Sequence, residues 1–278
     1  MRAQLVINLR SGRGRAYAEA TRDALREANI EFVEVGLPGD VVADADCIIC
    51  AGGDGTLLGA IDAAITRELP LGIVPLGTFN ELARTLGIPL EVRAAVQVIA
   101  ARYERAIDAA RVNGQYFVNE ASIGISSRLA RLQTPEFKQH FGFLGVIAMA
   151  FSALRYARPM RATVNFDGRS QRMRTIQLTV ANSNRFGGFL KVADAAIDDG
   201  WLDLYSVDIE SVYEAFTIAH AMLTGRPFDV PGLRALRSRR FEVVTRRRHH
   251  ISADGEPAGT TPASFEVFPK ALRVFTPQ

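Results

Sequence analysis

The chain has 278 residues, 48% hydrophobic and 23% charged, a balance that supports a substantial core and excludes a mainly disordered protein. Lys and Arg number 33 against 30 Asp and Glu, and the net charge of +3 is too small to imply a polyanionic partner by itself. Its 2 cysteines cannot build a disulfide framework; Cys47 and Cys50 lie in the apolar run 46–51 and read as core residues, not as metal or redox ligands.

In chain order, residues 4–8 read as a first strand, followed by the loop 9–14. Tyr17, Ala20, Ala24 and Ala28 then space out as one face of a helix, with Asn29 as its stop. Residues 31–35, 47–51 and 71–75 read as strands two to four. The last two each lead through a turn into a helical pattern, starting near Thr56 and Phe79. Short apolar runs alternating with helical segments predict an α/β domain around a parallel sheet.

From about Val118 the texture becomes β-rich. Strand candidates fall at 162–166, 173–181, 202–207, 241–244 and 250–253, with Asp167-Gly168 as a hairpin signal and a helical insert at 212–223. Within 141–157, Phe143, Leu144, Ile147, Phe151 and Leu154 recur at helical spacing. That run is too short to span a bilayer and predicts a buried helix. The first ten residues lack the apolar core of a signal peptide. A cytoplasmic protein of two domains is expected, with a cleft between them.

The sharpest local signal is Gly52-Gly53-Asp54-Gly55-Thr56, between a buried strand and a helix. Glycines let the backbone approach phosphate oxygens, and the helix start adds positive potential. Asp54 among such amides would repel phosphate unless it sits beside Mg²⁺ or is bonded to loop amides, and the sequence leaves both open. A plain helix-capping turn is the rival reading. Pro75 to Glu81, with Thr78 and Asn80, repeats this logic after strand four, and Asn8, Ser11 and Gly12 follow strand one. Loops at the carboxyl ends of parallel strands line the edge where α/β sheets bind ligands. Neither a Walker loop nor a dinucleotide fingerprint is present.

With these turns in view, the chain resembles the diacylglycerol kinase catalytic-domain family, lipid kinases that include bacterial diacylglycerol kinases and sphingosine kinases. The resemblance rests on N-L-R-S-G at 8–12, G-G-D-G-T at 52–56, P-L-G-T-F-N-E-L-A-R at 75–84, D-G-W-L-D at 199–203 and D-G-E-P at 254–257. It implies an NAD kinase/diacylglycerol kinase-like fold: an N-terminal α/β nucleotide-binding domain over 1–116, with 268–278 returning to it, and a β-sandwich-like lipid-substrate domain over 117–267. The active site is expected in the interdomain cleft.

The implied activity is transfer of the γ-phosphate of ATP to a hydroxyl of diacylglycerol or a related lipid. Asn8, Ser11, Gly12, Gly52, Gly53, Asp54, Gly55, Thr56, Thr78 and Asn80 would bind ATP. Asp54 would lie near the catalytic Mg²⁺, and Glu256 would be the general base. A structural Mg²⁺ is implied at Ala196, Asp199 and Trp201, through the Asp199 carboxylate and backbone carbonyls. The chain departs from the family pattern at Leu57-Leu58-Gly59, where relatives carry x-Asn-Glu, at Asn80-Glu81 in place of Asn-Asp, and in lacking a threonine within 35–40. An NAD kinase-like enzyme and a degenerate nucleotide- or lipid-binding sensor are the alternative functions.

The densest positive segment runs from Arg234 to His250. It reads as a solvated basic face or as a site of peripheral association with an anionic membrane. Nucleic acid is not expected as a partner, because no recognised module or aromatic interleaving accompanies it. A homodimer is compatible with the family, whose members often dimerise.

Overall fold

A computed structural model describes residues 1–9, 14–36, 40, 42, 44–125, 159–183, 185–186, 190–191, 196–208 and 232–278. The expected helices at 141–157 and 212–223, and Ser11 and Gly12, lie outside the described residues. The chain divides into two compact units: Met1–Ala109 with Ile197–Gly200 and Phe268–Gln278, and Ala110–Ala196 with Trp201–Val267.

In the first unit, β1 (Arg2–Ile7), β2 (Glu31–Val35), β3 (Cys47–Gly52) and β4 (Leu71–Pro75) pair in parallel in the order β2-β1-β3-β4. Every residue of β3 and β4 is buried, as expected for central parallel strands covered on both faces. Helix α1 (Gly14–Glu27) packs with α4 (Val92–Ala101), while α2 (Asp54–Thr66) packs against β3 and β4; α3 (Glu81–Thr85) is a short turn of helix after β4. The chain's last strand returns to this sheet, with Val274 parallel to Leu71. Strand alternation puts Cys47 and Cys50, three residues apart, on opposite faces of β3. Their spacing therefore cannot make one ligand site, and both thiols are buried and free.

The buried face of α1 differs from the expected one. Tyr17 is 43% exposed and Ala20 is exposed, whereas Ala18, Thr21, Ala24 and Leu25 are buried. Thr21 tolerates burial because its hydroxyl donates to the Tyr17 carbonyl at 2.8 Å. The stop at Asn29 is as expected, with a left-handed φ of 52° just past the helix.

The described elements of the second unit are all strands. Strand β5 (Glu104–Val112) turns through Asn113-Gly114 into β6 (Gln115–Phe117), and β7 (Glu120–Gly124) follows. Then come β8 (Met160–Phe166), β9 (Arg169–Thr175), β10 (Gln177–Ala181), the short pair β11 (Arg185–Phe186) and β12 (Leu190–Lys191), and β13 (Leu202–Val207). The chain ends with β14 (Leu233–Ser238), β15 (Arg240–Thr245), β16 (His250–Ala253), β17 (Glu256–Thr260) and β18 (Ala263–Phe275). One antiparallel sheet has the order β14-β13-β10-β7-β16-β17; in the other, the start of β18 continues to β15, β8 and β9. Their inner faces share one core that includes Ile123, Leu178, Val180 and Leu204 from the first, and Val164, Met173, Phe241 and Phe265 from the second. This is a β-sandwich.

Two boundaries differ from the sequence reading. The run 173–181 is two strands, broken at Ile176, whose N–H donates to the Val207 carbonyl at 2.8 Å. The Thr175 hydroxyl lies within hydrogen-bonding distance of the Gln177 and Val207 carbonyls, so the chain leaves one sheet and enters the other at this point. The first unit ends at Ala109 instead of Tyr116. The physical reason is that β5 passes from one unit to the other mid-strand, its end pairing with β6 as a hairpin.

Candidate active site

The first unit brings its three strand-end turns together as the sequence suggests. Asn8, just past β1, donates its Nδ2 to the Thr56 hydroxyl at 2.8 Å. Gly53 and Gly77 approach so closely that a Cβ on Gly77 would lie 2.6 Å from the Gly53 Cα, and one on Gly52 would strike the Thr56 side chain at 2.8 Å. Only glycine fits these positions. Gly53 is the cap residue of α2 and contributes no side chain there, so the N-terminus of α2 and its unpaired amides are not filled by a cap.

Of the two placements open for Asp54, the geometry is the second. Its Oδ2 accepts the Asn80 amide at 3.1 Å and its Oδ1 accepts the Glu81 amide at 2.9 Å. Asn80 is 7% exposed and holds a left-handed conformation (φ 49°, ψ 51°). Its Oδ1 accepts the Gly77 amide and its Nδ2 donates to the Gly77 carbonyl, both at 2.8 Å. Asp54 is thus a clamp between the two glycine turns, and Asn80 shapes the second one. Thr78 and Phe79 stand exposed at its tip.

The loop before β13 has a second clamp. Asp108, only 1% exposed, accepts the Gly200 amide at 2.6 Å and the Lys270 amide at 2.7 Å. Its own N–H donates to the Ile197 carbonyl at 2.8 Å, and Asp198 pairs with Arg105 at 2.7 Å. Asp199, half-buried, is the remaining carboxylate of this turn. No cluster of three or more His, Cys, Asp or Glu suited to a metal occurs among the described residues. The expected set of Ala196, Asp199 and Trp201 therefore supplies one carboxylate plus main-chain carbonyls, a hard-oxygen donor set of the kind Mg²⁺ accepts. Within the second unit, the Trp201 ring lies 5.1 Å beneath the Arg239 guanidinium.

In the second unit, Asp254 and Gly255 turn β16 into β17 with φ values of 45° and 87°. The Asp254 carboxylate accepts three consecutive amides, from Val118 at 2.8 Å, Asn119 at 3.0 Å and Glu120 at 2.9 Å. Glu256, two residues on, is exposed at the start of β17. Asp254 fixes the hairpin that presents it. Asn182 extends this frame, its Nδ2 donating to the Val118 carbonyl at 3.0 Å. Asp108, Asn119 and Asn182 were not found by sequence reasoning. Asp108 sits in an unremarkable strand, and the only signal at the two asparagines was a polar residue flanking an apolar run.

Comparison with known proteins agrees with this arrangement. Residues 2–112 match the family model for the diacylglycerol kinase catalytic domain, and residues 119–276 match that for the YegS C-terminal NAD kinase beta sandwich-like domain. A diacylglycerol kinase of Bacillus subtilis (strain 168) is 30% identical over 237 residues, covering 84% of this chain and 78% of that protein. The crystal structure of a diacylglycerol kinase from Bacillus anthracis str. Sterne superposes with a TM-score of 0.80 at 22% identity, over 99% of this chain and 97% of that one. An NAD kinase from Archaeoglobus fulgidus in complex with ATP superposes with a TM-score of 0.54 at 14% identity, over 99% and 94% of the two chains, a likeness of fold alone. The chain belongs to the diacylglycerol kinase catalytic-domain family.

Proposed function

We propose that this protein is an ATP-dependent lipid kinase that transfers the γ-phosphate of ATP to a hydroxyl of diacylglycerol or a related lipid. The observation that carries the reading is the Gly53–Gly77 contact braced by Asp54, in a chain whose relatives are diacylglycerol kinases. Two turns that meet glycine to glycine, beside a helix start that no side chain caps, suit the polyphosphate of a nucleotide.

In this reading, Asn8, Gly52, Gly53, Gly55, Thr56 and Thr78 receive the phosphates, as Ser11 and Gly12 would. Asp54 and Asn80 hold the turns in shape. Glu256 takes the proton of the acceptor hydroxyl as its oxygen attacks the γ-phosphorus; the bond from that phosphorus to the β–γ bridging oxygen breaks, and ADP leaves. Mg²⁺ would neutralise phosphate charge during this transfer. Asp199, with the Ala196 and Trp201 carbonyls, would hold a structural Mg²⁺. Both Asp54 oxygens already accept amides, which supports a positioning role and gives no step through a metal there.

The test is transfer of label from γ-labelled ATP with Mg²⁺ into a panel of lipids in mixed micelles, with NAD run alongside. A labelled lipid is expected. Glu256→Gln should lower turnover by about 10²-fold or more while ATP binding stays near the parent value. Label in NAD and in no lipid would replace the reading with an NAD kinase; ATP binding without any transfer would replace it with a sensor.

A further inference from the structure

The inner face of the β-sandwich changes chemistry at one end. On β7 and β10 that face carries Ala121, Ile123, Leu178 and Val180, all in the core, with Val180 opposite Ala121. One row beyond the Ala181–Glu120 pair, the Asn182 N–H donates to the Asn119 carbonyl at 2.8 Å, which makes Asn119 and Asn182 the next cross-strand pair. Alternation returns this pair to the face of Ala121 and Val180, so two amides follow four apolar side chains.

The same register reaches Glu256. Ala121 is opposite Ala253 on β16, and Ala253 is opposite Glu256 on β17. Ala258, two residues past Glu256, is in the core, so Glu256 begins the set of β17 residues on this face. The Asp254 carboxylate accepts the Asn119 amide at 3.0 Å and ties the hairpin that carries Glu256 to this end of β7. Two strands, roughly 10 Å, separate the Glu256 and β7 backbones, a span that two side chains and a glycerol unit together can fill. What sets Asn119 apart is its side chain. The residue is 2% exposed, its Oδ1 is enclosed without a donor, and no hydrogen bond from its Nδ2 occurs among the described residues. Its backbone is in use, through Asp254 and Asn182. An enclosed amide whose groups stay unmet opposes folding, so neither core packing nor the frame around Asp254 accounts for it.

We infer that the Asn119 amide determines acceptor specificity by donating to the ester carbonyl next to the reacting hydroxyl of a glycerolipid. The inference deepens the lipid-kinase reading and rests on its assignment of the acceptor proton to Glu256. With the hydroxyl at Glu256, the group on the adjoining carbon falls on the Asn119 side of the row. In a diacylglycerol that group is an ester, whose carbonyl only accepts, and an amide turned either way presents an N–H to it. A site that holds such a donor favours substrates that meet it and rejects those that leave it unpaired. Plain long-chain alcohols, with nothing on the adjoining carbon, are therefore poor acceptors. A trapped water would satisfy the amide without any substrate; that reading predicts no preference among acceptors, or one that substitutions at Asn119 do not touch.

The test is titration calorimetry of the full chain, without ATP, with a short-chain diacylglycerol and with its analogue in which an ether replaces the middle ester. The analogue keeps the hydroxyl and the chain lengths and loses only the carbonyl. The parent should bind the diester roughly 10-fold more tightly. In Asn119→Leu and in Asn119→Ala the two lipids should bind alike, through lost affinity for the diester. Asn119→Leu, similar in shape, should unfold at or above the parent's temperature because it removes an unmet amide, and Asn119→Ala below it because it leaves a cavity. The same loss of preference in variants of opposite stability separates recognition from folding. Thr276→Val, which removes an unmet buried hydroxyl from the first unit, should keep the full preference. Transfer of label from ATP to both lipids in mixed micelles should show the parent's preference in kcat/KM.

Equal affinity of the parent for the two lipids would overturn the inference, and so would binding of neither. A preference that survives in both Asn119 variants, or that falls as far in Thr276→Val, would overturn it as well. Transfer to both lipids without preference sinks the Asn119 assignment alone; preferential binding without transfer sinks the kinase alone.

Discussion

Asp54 shows how a single carboxylate can organise two glycine turns. Its two oxygens each accept an amide, from Asn80 and Glu81. Asp54→Asn keeps the shape but turns one acceptor into an NH₂ group facing an N–H donor. About 1–3 kcal/mol of the bracing should be lost, seen by calorimetry as weaker ATP binding together with a lower Tm. Reduced turnover with ATP affinity unchanged would instead mean that Asp54 acts only in the chemical step. Asp254 obeys the same logic with three amides. Asp254→Asn should therefore depress kcat through a misplaced Glu256 hairpin while ATP affinity stays at the parent value. Cys47 and Cys50 are the opposite kind of residue: burial pushes both thiols up to about 12. They should resist alkylation in the native state at pH 8 and react fully once unfolded, because the thiolate is the nucleophile.

At the scale of elements, α4 carries a pH-sensitive cap. Glu91 accepts the Ala94 amide at 2.7 Å and the Arg93 amide at 3.0 Å, and these bonds hold its carboxyl below the ordinary carboxylate range. A depressed folded-state value means the cap stabilises above the ordinary range and is lost as pH falls through the lower one. Glu91→Gln should lower Tm at pH 7, and the gap from the parent should close on acidification; a gap independent of pH would show that charge plays no part. Elements bounded by turns were legible from the residues alone. Strands at 31–35, 71–75, 202–207 and 250–253 have the bounds read from the sequence. The break at Ile176 was passed over although the alternation slips by one residue there, from Met173 to Ile176, Leu178 and Val180; the pairing of Ile176 with Val207 marks the point where the chain changes sheets. The face of α1 was misread because a buried threonine looks polar until its hydroxyl finds a carbonyl. The glycine turns announced themselves by composition, but the partners of Asp54 depend on how closely Gly53 and Gly77 pack. Asp108 gave no local signal at all, because both of its amide partners lie far along the chain.

At the scale of the molecule, the first unit is not a contiguous piece of chain. It draws in Ile197–Gly200 and Phe268–Gln278, and both additions meet at Asp108 through the Gly200 and Lys270 amides. A chain ending at Tyr116 would contain β1 to β4 and α1 to α4 yet lack the Gly200 and Lys270 amides that this buried carboxylate accepts. Two hydrogen bonds to a charged group contribute about 3–6 kcal/mol together. The same truncation removes Leu272, Val274 and Phe275, at most 2% exposed in the full chain, each contributing about 1.5–3 kcal/mol of apolar burial. Together these losses match the whole stability of an ordinary domain, about 5–15 kcal/mol. Residues 1–116 alone should therefore show no cooperative thermal transition by circular dichroism, despite carrying both glycine turns. A sharp transition near that of the full chain would mean that the returning strand is dispensable and that Asp108 finds other donors. The expected failure would show instead that the glycine turns depend for their support on the two segments that return to the unit, Ile197–Gly200 and Phe268–Gln278.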